Sequence, residues 1–154
     1  MYLSIQEMKS VLYEYQMNEI VENNDDILND AILAAISEVK SYFMASNEQV
    51  KDGRPKYDID AIFSAEGADR NAFILRICKR VAAWNICELA NPDVIYEHVK
   101  ERYDSAIDTL EKIAGMGQYS NTPILITDVP TVTENPDNVQ LPFRMGSRPK
   151  FHHE

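Results

Sequence analysis

The chain has 154 residues, 45% of them hydrophobic and 26% charged, the size and make-up of one globular domain with a real core. Its formal charge of −10 argues against a general nucleic-acid binder or a polybasic membrane-surface protein, while leaving room for a local basic patch. The N-terminus, MYLSIQEMKS, lacks the pattern of a signal peptide and no apolar run approaches a bilayer span, so a cytoplasmic location is expected. Cys78 and Cys87 are too few for a disulfide framework; on one helix they lie roughly 13 Å apart along the axis, so two buried free thiols are expected.

In chain order, Ser4-Ile-Gln-Glu7 has the spacing of a capping box and predicts a first helix from about Ile5 to Tyr15, with Met8, Val11, Leu12 and Tyr15 on its buried side. Gln16–Asn24, with Met17, Ile20 and Val21, has room for another short turn. Asn24-Asp25-Asp26 offers caps for a second helix, Ile27 to about Ala45, in which Leu28, Ala31, Ile32, Ala35, Val39, Tyr42 and Phe43 keep helical spacing. From Ser46 to Asp69 the periodicity lapses. Gly53, Pro55 and Gly67 punctuate this loop, and a short helix near Ile59–Ser64 is expected to anchor it through Ile59, Ile62 and Phe63.

A third long helix should open at Asp69 or Arg70 and end near Ala90. Phe73, Ile74, Ile77, Cys78, Val81, Ala82, Trp84, Asn85 and Leu89 make its apolar side, and Arg70, Arg76, Lys79 and Arg80 its basic side. Asn91 then caps a fourth helix, Pro92 fits its first position, and Gly115 or Gly117 supplies the left-handed residue that ends it. Ile95, Val99, Tyr103, Ala106, Leu110 and Ile113 form one stripe of that helix. Glu97, Glu101, Asp104, Asp108 and Glu111 form another, almost opposite. Antiparallel packing of these last two helices is expected, with opposite charges pairing within the chain or between copies.

After Gly117 the composition changes. Residues 118–154 hold five of the seven prolines, which excludes helix over most of that length. Ile124–Ile126 and Val139–Phe143 have the make-up of short strands. Up to Gly117 there are 12 basic and 21 acidic residues and afterwards 3 and 4, so the end, with Arg144, Arg148 and Lys150, is locally basic. Its apolar residues, including Ile124, Ile126, Phe143 and Phe151, favour an arm that orders against another surface by strand addition or packing. The organisation read from sequence is thus a helical domain over 1–117 and an extended, Pro-rich arm over 118–154. Deleting the arm should leave the helices and abolish assembly.

No catalytic constellation emerges. Gly115-Met-Gly117 follows a helix rather than a strand, His98 has no metal-ligand spacing, and neither cysteine has an activating base nearby in sequence. No enzyme activity, cofactor or metal is expected. His152-His153-Glu154 at a free terminus makes a poorly fixed metal site. The candidate surfaces are those of an interface: the acidic row Glu97, Glu101, Asp104, Asp108 and Glu111; the basic residues Arg76, Lys79 and Arg80; and, on the arm, Ile124, Ile126, Phe143, Arg144, Arg148 and Phe151.

Four segments resemble the Mu-like phage head–tail connector (adaptor) family, formerly a domain of unknown function. Tyr2-Leu-Ser-Ile-Gln-Glu-Met-Lys9 is similar to that family's short capped first helix, and Asp30-Ala-Ile-Leu-Ala-Ala-Ile-Ser-Glu-Val-Lys-Ser-Tyr-Phe43 to its second. Glu101-Arg-Tyr-Asp-Ser-Ala-Ile-Asp-Thr-Leu-Glu-Lys-Ile-Ala-Gly115 fits a motif of the form E-R-Y-x-x-A-hydrophobic-x-x-L. Phe143-Arg-Met-Gly-Ser-Arg-Pro-Lys-Phe151 is similar to the family's basic terminal segment. The long acidic stretch Ser46–Asp69 departs from the pattern. The resemblance implies an all-α fold and a virion structural protein, present in the bacterial host cytoplasm during assembly. Such a protein forms a ring between portal and tail through which DNA passes without being read, and it carries no catalytic residues. Its partners would be other copies of itself and the portal and tail proteins. The alternative from residues alone is a cytoplasmic helical protein-binding module unrelated to virions.

Overall fold

Ser4 opens the first element as expected. The Glu7 carboxylate accepts hydrogen bonds from the Ser4 backbone N–H and hydroxyl, each at 3.0 Å. In the computed structural model, which describes residues 1–49, 54–89, 97–120 and 123–132, helix α1 nevertheless spans only Ile5–Met8. The expected continuation to Tyr15 is broken. The Ser10 hydroxyl donates to the Glu7 carbonyl at 2.8 Å, a local bond that competes with helix propagation. The Val11 and Leu12 amides turn back onto the Met8 carbonyl, so Leu12 enters the core from a turn. Tyr13 is extended and starts a new helix, α2 (Glu14–Val21), where only a turn was expected. Tyr15, assigned by periodicity to the buried side, is therefore 64% exposed.

Helix α3 runs Asp25–Glu48, capped by the Asn24 side chain, which accepts from the Asp26 amide at 3.1 Å. Leu28, Ala31, Ile32, Ala35, Val39 and Phe43 are buried, as their spacing predicts. The helix extends past Ala45 to Glu48, and the amide side chain of Asn47 donates to the Tyr57 carbonyl and accepts from the Tyr57 amide, both at 2.8 Å. Helix α4 occupies Ile59–Ser64, with Asp58 as its cap and Ile62 and Phe63 buried. Helix α5 covers Ala72–Cys87. Its cap is Asn71 rather than Asp69 or Arg70, through bonds from the Phe73 and Ile74 amides. Helix α6 covers Glu97–Ala114; the expected cap at Asn91 and the linker at Pro92 lie outside the described residues.

The core is a three-helix packing of α3, α5 and α6, with α1, α2 and α4 laid against it. Phe43 meets Tyr57 and Phe63 edge-on, with ring centroids 5.3 and 5.9 Å apart. The all-helical class is as expected: six α-helices and no strand among the described residues. Ile124–Ile126 is not a strand, and Val139–Phe143 lies outside the described residues. Among the described residues no helix is long and apolar enough to cross a membrane.

Two polar clasps tie the elements together. Arg70, read from sequence as part of the basic face of α5, instead turns to α1. Its guanidinium bonds both Glu7 carboxylate oxygens and the Tyr2 carbonyl, the latter at 2.7 Å. The bond from Arg70, more than those from Ser4, holds the Glu7 carboxyl at about 2, against an ordinary 4.5. A depressed pKa stabilises the fold above the ordinary value, and that stability is lost as pH falls from about 4.5 towards 2. Urea melts of wild type and Glu7→Gln should therefore differ by about 2 kcal/mol at pH 7, the scale of a partly buried charged hydrogen bond, and the difference should shrink steadily as pH falls from about 4.5 towards 2. A gap that stays constant with pH would contradict this assignment.

The second clasp is Arg54, which reaches the carbonyls of Ala114 and Ser120 and the Gln49 side chain over Gly115. Gly115, at φ +67°, ends α6 in a Schellman motif: its amide bonds Lys112 and the Met116 amide bonds Glu111.

The chain then returns over the body. Ile124 N–H bonds the Lys112 carbonyl at 3.0 Å, and Ile126 is buried with its amide donating to the Tyr57 hydroxyl at 3.0 Å. Further on, Asp58 N–H donates to Pro130 O and Val132 N–H to Lys56 O, forming an isolated antiparallel bridge between Tyr57 and Thr131. Residues 123–132, the first part of the stretch read as an arm, thus pack on the segment that follows α3.

Candidate functional site

On α6 the apolar stripe faces inward: Ala106, Leu110 and Ile113 are buried, with Val99 and Tyr103 half-buried beside them. Glu97, Glu101 and Asp104 stand exposed on the opposite side, while Asp108 and Glu111 are half-buried. The ion pairs on this helix are local: Lys100 with Asp104 at 3.0 Å, Lys112 with Asp108 at 2.6 Å, and His98 with Glu101 at 3.6 Å when the imidazole is protonated. Asp108 is the most engaged. The bonds from Lys112 and then from the Tyr119 hydroxyl lower its pKa. The carboxylates least tied down are therefore those in the first half of the helix.

The basic residues of α5 take a different place from the one expected. Among the described residues no ion pair joins Arg76, Lys79 or Arg80 to the acidic row of α6. They line a groove of about 400 Å³ together with Ser10, Val11, Ala72, Leu75 and Arg102. Lys79 Nζ donates to the Ser10 hydroxyl at 3.0 Å, and the Arg76 guanidinium lies 5.4 Å from the Phe73 ring centroid. Burial, and then the charges of Arg76 and Arg102, lower the pKa of Arg80. Four cationic side chains thus gather with no carboxylate bonded to any of them among the described residues, on a chain with ten more acidic than basic residues.

Arg102 belongs to this groove; in the sequence it entered as the arginine of the E-R-Y motif and not among the candidate interface residues. The signal was present: Arg102 lies four residues before the buried Ala106, on the flank of the apolar stripe rather than in the acidic row. What no pattern shows is that this flank faces α5. Trp84 of α5 stacks on Tyr103 at 5.7 Å, and Lys100 sits over Trp84 at 5.9 Å, which places Arg102 beside Arg80.

The arm candidates divide. Ile126 is buried against its own chain, Ile124 is 39% exposed, and Phe143, Arg144, Arg148 and Phe151 lie outside the described residues. A surface absent from the sequence reading is formed by Tyr13 and Tyr15. They are 68% and 64% exposed and stacked on each other with centroids 5.7 Å apart.

The thiols are poor nucleophiles. Burial pushes Cys78 up to about 12 and Cys87 up to about 11.

No protein-family model, curated protein or solved structure matches the chain. The likeness to the connector family accordingly rests on the four segments quoted above.

Proposed function

We propose that this chain is a non-catalytic structural subunit of a phage or prophage virion, joining the portal of the head to the tail as a ring. Its partners on this reading are other copies of itself and the portal and tail proteins, with DNA passing through and no membrane contact. The observation that carries the reading is the role of the segment most similar to the family. Glu101–Gly115 forms the body and stop of α6, which packs on α3 and α5 with one face. Its other face shows Glu101 and Asp104 to solvent, within reach of a neighbouring subunit. Two more of the similar segments also build the core: Tyr2–Lys9 supplies the buried Tyr2, Leu3 and Met8, and Asp30–Phe43 is the middle of α3.

A helical protein-binding module is the second reading, favoured by the exposed Tyr13–Tyr15 stack, since paired aromatics are common anchors at interfaces. Light scattering and negative-stain electron microscopy separate the two. The connector reading expects rings of the full chain, alone or seated on a portal ring. A protein that stays at protomer mass and binds no portal ring would refute it.

A further inference from the structure

The strongest unused feature is the basic groove. Elsewhere the charged side chains that matter to the fold have partners: Glu7 has Arg70, and Arg54 has three oxygen acceptors. Arg76, Arg80 and Arg102 have no anion bonded to them among the described residues. Bringing them together costs Coulomb energy that a bound anion relieves. We propose that the groove of one copy receives the first half of α6 of a second copy, with Glu97, Glu101 and Asp104 set against Arg76, Arg80 and Arg102. The proposal rests on the ring reading and names the contact that would build it.

Three observations favour this occupant. The first is length. Glu97 to Asp104 spans eight residues, about 10 Å of helix; Arg76 to Arg80 covers about 6 Å of α5, and Arg102 stands on the neighbouring helix, about 8–10 Å away. The second is availability. Glu97 and Glu101 are exposed and Asp104 is held only by Lys100, whereas Asp108 is bonded twice. The third is the restricted size of the patch. A long polyanion such as a nucleic acid would run off it onto the surface of a chain of charge −10. A short acidic helix face fits within it. The methylene and methyl groups of Leu75 and Val11 add an apolar floor for the side-chain stems.

The groove and the row are different surfaces of one subunit, and on the ring reading the contact runs head to tail. Such a contact leaves one copy of a pair with a free groove and the other with a free row, so it closes into a ring or continues as a filament. A partly desolvated set of charges also sets the orientation of docking and makes it sensitive to salt.

The test is a charge exchange in the full chain at exposed positions, with folding checked by circular dichroism. One variant is Arg76→Glu with Arg102→Glu; the other is Glu97→Arg with Asp104→Arg. Each alone places like charges at two of the three pairs and should remain at protomer mass by light scattering. An equimolar mixture restores opposite charges at all three pairs and should assemble again above protomer mass, the two variants alternating. If the wild type assembles and either variant assembles as well, or if the mixture fails to recover, the groove contact is overturned while the ring reading stands. A wild type that stays at protomer mass at all concentrations and salts overturns this inference, and if it also binds no portal ring the ring reading falls with it.

Discussion

Leu110→Asp should abolish the cooperative thermal melt. Leu110 has no exposed surface and sits where α6 meets α3 and α5. Truncating such a leucine to alanine already costs about 2–5 kcal/mol. Aspartate adds a carboxylate where water is absent, which either stays charged without a partner or takes up a proton at the expense of several more kcal/mol. Domains of this size have about 5–15 kcal/mol in total, so the substitution consumes most or all of it. A melt unchanged from wild type would mean that α6 does not pack as described. Leu125→Asp, at a position 50% exposed, is the matched control and should melt within a few degrees of wild type.

The second large effect separates two cuts at the C-terminal end. A chain ending at Gly117 loses the buried Ile126, the half-buried Val129, the bond from the Ile126 amide to the Tyr57 hydroxyl, and both bonds between Lys56–Asp58 and Pro130–Val132. Tyr57, only 2% exposed, is then opened to water. The apolar burial alone is worth about 1.5–3 kcal/mol for each large side chain, partly offset by the freedom the removed residues regain. The expected result is a midpoint lowered by about 5–10 °C with helical content largely kept. A chain ending at Val132 keeps all these contacts and should melt with the full-length protein, yet on the connector reading it fails to assemble. Equal melting of both truncated chains would remove the packing role assigned to 123–132, and ring formation by residues 1–132 would remove the assembly role of the remainder.

Much of the helical core was legible because its determinants are local and repeated. The buried row of α3 follows from spacing, the cap at Asn24 from residue type, and the short α4 from a brief apolar cluster behind Asp58. The stop of α6 followed from a glycine where the backbone must turn left-handed. The break after Met8 was not legible by the same means, since Val11, Leu12 and Tyr15 keep helical spacing although the chain turns at Ser10. Nor was the fate of Arg70, which stands in sequence beside the basic residues Arg76, Lys79 and Arg80 but in space answers a carboxylate 63 positions earlier. The basic groove needed three separate segments to meet. Sequence supplied Arg76, Lys79 and Arg80; tertiary packing supplied Arg102 and Ser10.

The short extended run Lys56–Asp58 has a bearing on how any arm can dock. On one side Pro130 and Val132 take its Asp58 amide and Lys56 carbonyl, and on the other the Asn47 amide group occupies both backbone groups of Tyr57 as a neighbouring peptide would. This run therefore offers no open edge. The arm of another subunit could pair here only by displacing residues 130–132, so exchange of equivalent segments between copies would conserve every bond, whereas addition of an extra strand would find none to make.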